Sequence, residues 1–402
     1  MKLEQLPTEF EAAAPILERI NAAGYEAYFV GGSVRDTILG LPIHDVDIAT
    51  SAYPAEIKAI FKKTVDTGIE HGTVMVIEHG EGYEITTFRT ESTYQDFRRP
   101  DHVEFVRSLK EDLKRRDLTI NALAMDTSGQ IVDLFDGLAD LEQQIIRAVG
   151  DPNERYYEDA LRMMRTVRFA SQLDFEIEEK TQQAIQENAY LLEKISVERI
   201  HVEWIKLLLG KAVKKGLASF LATDLANYCP GFQDQQTKLQ QLLAVEDLHL
   251  SNEVAAWSVL VYLFELDQTQ TRKFLKSWKV SNEIINQTLQ VQKALQALLA
   301  GTLDAKICYQ TGENLLVIAN EIANLWQQGQ AETEIKAQYQ ALPIKNMKEL
   351  QINGGLLMKE LNVKPSAKMG EVLHRLEEEV IYGQIANEQA LLLQKAAEYY
   401  MN

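Results

Sequence analysis

The chain has 402 residues, of which 46% are hydrophobic and 25% charged, and its formal net charge is −18. This composition is ordinary for a globular protein with two or more domains, and no run of 18 or more apolar residues predicts a membrane span. Cys229 and Cys308 lie far apart and outside any CxxC motif, so we expect neither a disulfide framework nor structural zinc, and a reducing, cytoplasmic location.

The net negative charge would exclude a nucleic-acid partner only if it were evenly spread, because phosphate binding needs local Lys and Arg. The basic residues are instead bunched, in the runs 97–100, 113–117, 162–168 and 211–215. A basic groove can therefore coexist with an acidic surface elsewhere.

Short β-rich and helical patterns alternate through the first 150 residues. Extended runs are predicted at 27–32, 45–50, 73–88, 130–137 and 145–149, and the third reads as a hairpin around a Gly-containing turn. Helical patterns intervene at 33–40, 53–63 and 115–124. We therefore expect an α+β fold whose small mixed sheet forms an N-terminal head at 1–150.

Helical periodicity dominates from Asp151 onward. Asp151 is predicted to cap a helix that has Pro152 at its first position and Glu154 at its third. Turn signals interrupt the helical run near 229–232, 299–303 and 342–346. The predicted helical domains are a neck (151–205), a body (206–305) and a tail (306–402).

The stretch "FVGGSVRDTILGLPIHDVDIAT" (29–50) carries the strongest chemical signal. A strand is predicted to end at Gly31-Gly32 and a helix to start at Ser33. Backbone N–H groups at such a helix start, together with Arg35 on its first turn, can hold a phosphate. By itself the Gly-Gly pair also fits an ordinary tight turn.

Two carboxylates, Asp45 and Asp47, end the same stretch. Residues i and i+2 of a strand share a face, so both side chains would point the same way and repel each other unless a cation lies between them. Mg²⁺ favours such oxygen ligands, and two ions about 4 Å apart can activate a hydroxyl and stabilise a leaving pyrophosphate. A solvated strand end is the alternative interpretation.

GG-x-V-R-D followed by D-x-D resembles the nucleotidyltransferase superfamily of DNA polymerase β. More narrowly, it resembles the class II tRNA nucleotidyltransferases and the bacterial poly(A) polymerases. This resemblance implies that Gly32 and Arg35 bind the nucleotide and that Asp45 and Asp47 hold the metal. It also implies a third catalytic carboxylate on a neighbouring strand, for which Glu84 is the matching residue.

The run "DLKRRDLTINALAMD" (112–126) resembles the second motif of this family. The resemblance implies that Arg116 binds the incoming nucleotide and that Asp117 lies near its ribose. Without the first motif, the same residues would fit a solvated, salt-bridged helix end.

The run "EDALRMMRTVRFA" (158–170) predicts a helix that carries Asp159 and three arginines at three-residue steps. Residues i and i+3 are neighbours on a helix, so Asp159 and Arg162 would present a hydrogen-bond acceptor beside a donor. That pair matches the Watson–Crick edges of cytosine and adenine and is reversed for guanine and uracil. The alternative is an ordinary salt bridge on a surface helix.

This run resembles the fourth motif of the family, in which a protein helix acts as the template. The resemblance implies that Asp159 and Arg162 read the base and that Arg165 and Arg168 bind the nucleotide. A helix drifts by about 60° per three-residue step, so Arg168 is better placed for phosphate, or for holding head against neck, than for the base.

The run "ISVERIHVEW" (195–204) resembles the fifth motif, and we expect it to support the templating helix. Ser196 is predicted to cap its helix. Arg199 and Glu203 have the spacing of an i,i+4 ion pair.

Two features favour the Bacillus-type CCA-adding branch over the poly(A) branch. The segment 64–77 stands where the poly(A) branch has a basic stretch, and the segment 90–106 resembles a flexible loop required for adding the final A. The run 362–383 resembles the Bacillus-type tail, which implies that the tail holds tRNA.

The resemblance implies Mg²⁺-dependent addition of C, C and A to the 3′ end of tRNA from CTP and ATP, with release of pyrophosphate. The expected partners are the two nucleotides and the acceptor and T arms of tRNA, with no membrane. The alternatives are a poly(A) polymerase, an enzyme that adds only CC or only A, and a non-catalytic nucleotide- or RNA-binding protein. The oligomeric state stays open, with a homodimer among the options.

Overall fold

The computed structural model describes residues 1–43, 45–91, 94–95, 99–100 and 103–401, and of residues 91, 94–95, 99–100 and 103 it describes only the backbone. Part of the predicted loop 90–106 therefore lies outside the described residues. The described chain forms two compact units, 1–240 and 241–402. None of its described helices is long and apolar enough to cross a membrane.

The first unit combines strands with helices. Its strands are β1 (Ala27–Val30), β2 (Asp47–Thr50), β3 (Thr64–Gly68), β4 (Thr73–Glu78), β5 (Glu81–Thr87), β6 (Arg89–Glu91), β7 (Tyr94–Gln95), β8 (Arg99–Pro100), β9 (Val103–Phe105), β10 (Leu123–Met125), β11 (Ile131–Asp133), β12 (Ile145–Ile146) and β13 (Glu176–Ile177). Its helices are α1 (Thr8–Ala22), α2 (Gly32–Ile38), α3 (Pro54–Ile60), α4 (Leu109–Lys114), α5 (Gly137–Gln143), α6 (Pro152–Glu158), α7 (Leu161–Leu173), α8 (Glu179–Asn188), α9 (Val197–Leu208) and α10 (Val213–Ala222).

A seven-stranded sheet in the order β11-β10-β1-β2-β5-β4-β3 forms the centre of this unit. β2 pairs with β5 in parallel and with β1 antiparallel. Side chains alternate between two buried layers: Phe29 and Ile48 pack in the layer that includes α1, where the Phe10 and Phe29 rings are 4.7 Å apart, while Ala49 packs in the layer that includes Leu113 of α4. The predicted α+β class is confirmed.

The helix predicted at 115–124 is wrong. α4 ends at Lys114, and a 3₁₀ turn (Thr119–Asn121) leads into β10. Leu118 and Leu123 are buried in the layer with α1, whereas Ala122 and Ala124 are buried in the opposite layer. Side chains of a strand alternate between the two faces of the sheet, so a strand can bury these residues in both layers. A helix would instead project them in all directions around its axis.

The helix predicted after Asp151 is confirmed. Asp151 is the N-cap of α6 and accepts the N–H of Asn153 at 2.9 Å, with Pro152 at the first position.

Helix α10 packs closely on α7, and a Cβ at Gly216 would lie 2.6 Å from the Cβ of Ser171. The close approach of these helices therefore requires glycine there.

The second unit is helical in its described part. α11 (Gln236–Gln241) crosses the boundary, and the helices beyond it are α12 (Glu253–Leu263), α13 (Gln268–Ser277), α14 (Asn282–Leu299), α15 (Ala305–Thr311), α16 (Glu313–Leu325), α17 (Glu332–Gln340), α18 (Gly354–Leu361), α19 (Ala367–Ile381) and α20 (Gln389–Met401). Trp257 and Trp278 pack 5.4 Å apart, and Leu357, Leu376 and Leu392 are fully buried together nearer the C-terminus. The finer division into head, neck, body and tail stays a prediction.

Candidate active site

The predicted catalytic carboxylates meet at one end of β2. Asp47 is the first residue of the strand, whereas Asp45 precedes it, so the expectation that both lie on one strand is wrong for Asp45. The register of β2 against β5 pairs Ile48 with Ile85. Glu84 therefore lies beside Asp47 on the neighbouring strand, on the same face.

The surroundings of Asp47 are strongly acidic. Asp47 is exposed at the end of β2, yet enough protein surrounds its carboxylate that desolvation raises its pKa; Arg116 opposes this, while Glu84 and Asp45 add to it. A cavity of about 470 Å³ opens here, and its acidic lining residues are Glu9, Asp45, Asp47, Glu81 and Glu84. Within the described ranges, no three or more His, Cys, Asp or Glu side chains are grouped closely enough to hold a metal ion by themselves.

The turn before α2 brings Arg116 close to Asp47. Gly31 caps α2 with φ +74° and ψ −137°, a backbone conformation that is essentially restricted to glycine. A Cβ on Gly31 would lie 2.9 Å from Nη1 of Arg116 and 3.8 Å from Oδ2 of Asp47. The predicted Gly-Gly turn thus places a guanidinium beside the carboxylate predicted to be catalytic. Gly32 begins the helix one residue earlier than expected.

Arg35 lies on the first turns of α2, as predicted, but its guanidinium faces the protein interior. It is 7% exposed and donates to both carboxylate oxygens of Asp36, at 2.9 and 3.0 Å, and to the side-chain oxygen of Asn121. Its guanidinium carbon also lies 4.8 Å from the centre of the Phe169 ring. Arg35 therefore links the start of α2 to Asn121 in the 3₁₀ turn and to Phe169 on α7.

Arg116 is held from behind by a buried acid. Asp112 is fully buried and accepts hydrogen bonds from Arg115 at 2.8 Å and from Arg116 at 3.3 Å. Burial acts to raise the pKa of Asp112, but the two guanidinium groups outweigh it, and the pKa falls below its ordinary value. The Nε of Arg116 is buried without a hydrogen-bond partner in the described structure, so this side chain keeps one unused donor.

Asp117 is buried and points toward α7. Its Oδ2 accepts from Nε of Arg165 at 2.7 Å, and its Oδ1 accepts from Nδ2 of Asn121 at 3.0 Å. Burial acts to raise the pKa of Asp117, yet Arg165 and Asn121 together lower it well below its usual range. The carboxylate is therefore ionised and fixed in orientation, in contact with a predicted nucleotide-binding arginine.

Asp159 does not lie within the helix that carries the arginines, because α6 ends and α7 begins around it. Its Oδ1 accepts the N–H of Leu161, the first residue of α7, at 3.0 Å. Arg199 of α9 donates to both carboxylate oxygens, at 3.4 and 2.7 Å. The predicted single helix over 158–170 is wrong at its start, where the extended conformation of Asp159 interrupts it.

Arg162 is turned away from Asp159. It is 8% exposed, and it donates to Glu158 at 2.5 Å and to the backbone carbonyls of Arg155 and Arg115 at 3.2 and 2.9 Å. The expected side-by-side arrangement of Asp159 and Arg162 is therefore replaced by contacts to different neighbours. The bond to the Arg115 carbonyl ties α7 to the end of α4.

Arg165 and Arg168 surround one aromatic ring together with Arg35. Their guanidinium carbons lie 5.6 and 3.9 Å from the centre of Phe169, a cation–π arrangement. Arg168 is 7% exposed and pairs with Glu203 at 2.9 Å; burial lowers its pKa to about 10, with Glu203 opposing this. Arg168 thus holds α7 against α9.

The predicted Arg199–Glu203 pair on α9 is wrong. Arg199 reaches Asp159, and Glu203 reaches Arg168. Ser196 is the N-cap of α9, but its side chain makes no capping hydrogen bond. Both charged residues of α9 therefore form ion pairs outside their own helix, Arg199 with Asp159 before α7 and Glu203 with Arg168 on α7.

Three family models match successive parts of the chain. "Poly A polymerase head domain" matches 27–147, "Probable RNA and SrmB- binding site of polymerase A" matches 174–235, and tRNA nucleotidyltransferase domain 2 matches 248–396. The CCA-adding enzyme of Ligilactobacillus salivarius is 58% identical over 396 residues, 98% of each chain, and that of Limosilactobacillus reuteri is 56% identical over 398 residues, 99% of each. The chain belongs to the CCA-adding enzyme family.

Solved structures of CCA-adding enzymes share this architecture. The Bacillus stearothermophilus CCA-adding enzyme in complex with CTP matches with a TM-score of 0.88 and 36% identity over 98% of each chain. The Thermotoga maritima CCA-adding enzyme complexed with tRNA_CCA matches with a TM-score of 0.65 at 22% identity, covering 98% of this chain and 96% of that one, which supports the fold.

The CCA-adding family motifs draw attention to arginines, but sequence reasoning missed the residues that hold those arginines in place. Asp112 precedes Arg115 and Arg116 by three and four residues, a spacing that could have indicated the pairing. Arg165 likewise precedes Phe169 by four residues on α7. The contacts of Arg35 with Asn121 and Phe169 carry no such signal, because Arg35 lies on α2.

Proposed function

We propose that this chain adds C, C and A to the 3′ end of tRNA from CTP and ATP, releasing pyrophosphate. Full-length identities of 52–58% to CCA-adding enzymes support this. The observation that carries the proposal is the juxtaposition at Gly31, where an acidic strand end with Asp47 faces the guanidinium of Arg116. A reaction between a hydroxyl and a triphosphate needs both features, a carboxylate site for a cation and a cationic group for phosphate.

Mg²⁺ fits the chemistry of the acidic strand end. Asp45 and Asp47 would hold it, with Glu84 as the third candidate carboxylate. Mg²⁺ is bound by one or two protein carboxylates together with substrate phosphates and water, which agrees with a site that is incomplete from protein side chains alone. When bound, the ion lowers the pKa of the tRNA 3′-hydroxyl and neutralises charge on the triphosphate.

The nucleotide would lie against the turn at Gly32 and the Arg116 side chain. The Nη1 of Arg116 lies beside the Gly31 turn, where its guanidinium could bind a phosphate oxygen with a charge-assisted hydrogen bond. Arg35, Arg165 and Arg168 are paired with protein groups. We therefore propose that they contribute positive electrostatic potential and maintain the shape of the site, without binding the nucleotide directly.

Asp159 and Arg162 would select the base. The amino groups of cytosine and adenine donate to a carboxylate, and their ring nitrogens accept from a guanidinium, while guanine and uracil reverse both roles. A carboxylate offers about four lone-pair sites, and Leu161 and Arg199 supply three hydrogen bonds to Asp159, which leaves room for one amino group. Arg162 must turn from the Arg115 carbonyl toward the base.

The wrong base would leave two polar groups unpaired, each at a cost of about 1–3 kcal/mol. Discrimination against GTP and UTP by a factor of roughly 30 or more follows from this cost. Tail residues of the second unit, including the run 362–383, would hold the acceptor and T arms of the tRNA.

The test uses tRNA lacking its CCA end, incubated with each of the four labelled NTPs and with CTP plus ATP together. We expect CMP and AMP incorporation in the order CCA, and little from GTP or UTP. A ladder of A residues would favour the poly(A) alternative, and termination after CC would favour a CC-adding enzyme. Equal incorporation by wild type and Asp47→Ala would contradict the catalytic assignment.

A matched pair of variants tests the base-reading proposal. In Asp159→Ala with Arg162→Ala, the preference for CTP and ATP over UTP and GTP should disappear. Tyr157→Ala, at a neighbouring exposed position on α6, should keep that preference. Unchanged substrate choice in the double variant would contradict the proposal.

A further inference from the structure

Asn121 lies where three of the arginines of the candidate active site converge. It ends the 3₁₀ turn after α4 and is 6% exposed. Nη1 of Arg35 donates to its side-chain oxygen, and Nη1 of Arg116 donates to its backbone carbonyl at 3.3 Å. Its Nδ2 donates at 3.0 Å to Asp117, which accepts from Arg165.

The orientation of this amide is fixed by chemistry. A guanidinium only donates and a carboxylate only accepts, so the oxygen of Asn121 must face Arg35 and the nitrogen must face Asp117. The buried Asn121 amide therefore bridges the Arg35 guanidinium and the Asp117 carboxylate, and Asp117 in turn accepts from Arg165. Arg35 lies on α2, next to the glycine turn, and Arg165 lies on α7.

The bridge also determines which way Asp117 points. Its Oδ1 is held by Asn121 and by the N–H of Leu118 at 2.9 Å, which leaves Oδ2 directed to Nε of Arg165 at 2.7 Å. Without the amide, Asp117 could rotate toward other donors, and Arg35 would lose its neutral acceptor. Arg35 and Arg165 would then change position together, whereas Arg116 would keep its hydrogen bond to the backbone carbonyl of residue 121.

We propose that the Asn121 side chain is a positioning residue for nucleotide binding, which acts by fixing Arg35 and, through Asp117, Arg165. This inference rests on the proposed function and names a residue outside its set of nucleotide contacts. It requires that loss of the amide weakens nucleotide binding specifically, and leaves tRNA binding and folding intact.

Two variants separate the roles of the amide. Asn121→Ala removes both hydrogen bonds, whereas Asn121→Asp keeps the size and the acceptor for Arg35 but places a carboxylate oxygen against Asp117. Both should raise the KM for CTP and for ATP by about 10-fold or more, with little change in the KM for tRNA. Asn188→Ala is the control: it removes another buried amide, which donates to the carbonyl of Ala184 at 2.8 Å, and it should leave the nucleotide KM unchanged.

A double-mutant cycle tests the route through Asp117. In an Asp117→Ala background, Asn121→Ala should raise the KM for CTP by less than about 3-fold, because the group that it orients is absent. Equal fold-changes in both backgrounds would overturn the proposed route. A nucleotide KM that stays at the wild-type value in both Asn121 variants would overturn the inference.

Stability is measured on the same proteins by urea unfolding. If Asn121→Ala fails to fold, Asn121→Asp decides the question; failure of both would assign Asn121 to fold stability and overturn its positioning role. Wild-type protein that incorporates neither CMP nor AMP would overturn the proposed function. Normal wild-type incorporation with unchanged KM in the variants would overturn this inference alone.

Discussion

Replacing Gly31 by alanine tests whether the glycine turn sets the position of Arg116. At φ +74° and ψ −137° a side chain strains the backbone, at a cost of about 1–3 kcal/mol. The new methyl group would also lie 2.9 Å from Nη1 of Arg116, closer than carbon and nitrogen approach without displacement. Arg116 must therefore move by a few tenths of an ångström, and since a shift of about 1 Å can cost about 100-fold in rate, we expect kcat/KM for CTP to fall by roughly 10-fold.

Gly40→Ala separates strain from displacement. Gly40 also has a positive φ, +67°, but a Cβ there meets no atom within 4 Å. Urea unfolding should show a loss of about 1–2 kcal/mol for this control, with unchanged CMP incorporation. If Gly31→Ala retains the kcat/KM of Gly40→Ala, the turn does not position Arg116 for catalysis and the reasoning is refuted.

Three further perturbations test the packing and charge pairing of the first unit. Glu203→Gln should lower the free energy of unfolding by about 3–5 kcal/mol, because it leaves the buried Arg168 guanidinium without its carboxylate; a loss below about 1 kcal/mol in urea unfolding would contradict this. Hydrogen bonds from Arg107 lower the pKa of Glu56 from 4.5 to about 2, so the pair stabilises the fold above pH 4.5 and loses its effect as the pH falls toward 2. The difference in urea midpoint between wild type and Glu56→Gln should accordingly shrink between pH 6 and pH 3, and a constant difference would count against the pairing. Gly216→Ala should cost about 1–3 kcal/mol by overpacking α7 against α10, and a thermal melt unchanged from wild type would argue against that close contact.

Features set by neighbouring residues could be predicted from the sequence. The hairpin of β4 and β5 follows from alternation around a glycine turn, and the start of α6 follows from Asp151 and Pro152. The acidic strand end at Asp47 could also be predicted from local sequence, although Asp45 precedes β2 instead of lying on it. Each of these depends on contacts within a few residues.

Features set by distant partners could not be predicted. The segment 115–124 has a helical pattern, yet the sheet supplies burial on both of its faces, and this outweighs local propensity. Arg199 and Glu203 have the spacing of a helical pair, but each pairs with an opposite charge outside α9: Arg199 with the half-buried Asp159 and Glu203 with the buried Arg168. Sequence spacing states which pairs can form, and tertiary packing decides which of them do.

The same distinction separates two kinds of charge in the candidate active site. Arg35, Arg165 and Arg168 each contact a carboxylate supplied by the fold, so their positions are set before any nucleotide arrives and need little reorganisation on binding. Asp47 is in the opposite state: desolvation raises its pKa, Arg116 opposes this, and the nearby charges of Glu84 and Asp45 add to the rise and destabilise its charge. Under the proposed function, a cation bound there would offset that repulsion and would favour binding of the nucleotide at this strand end. The proposed function would thus reconcile a net charge of −18 with polyanionic substrates, because part of the acidic surplus lies where the proposed Mg²⁺ would bind and the fold holds these arginines in place.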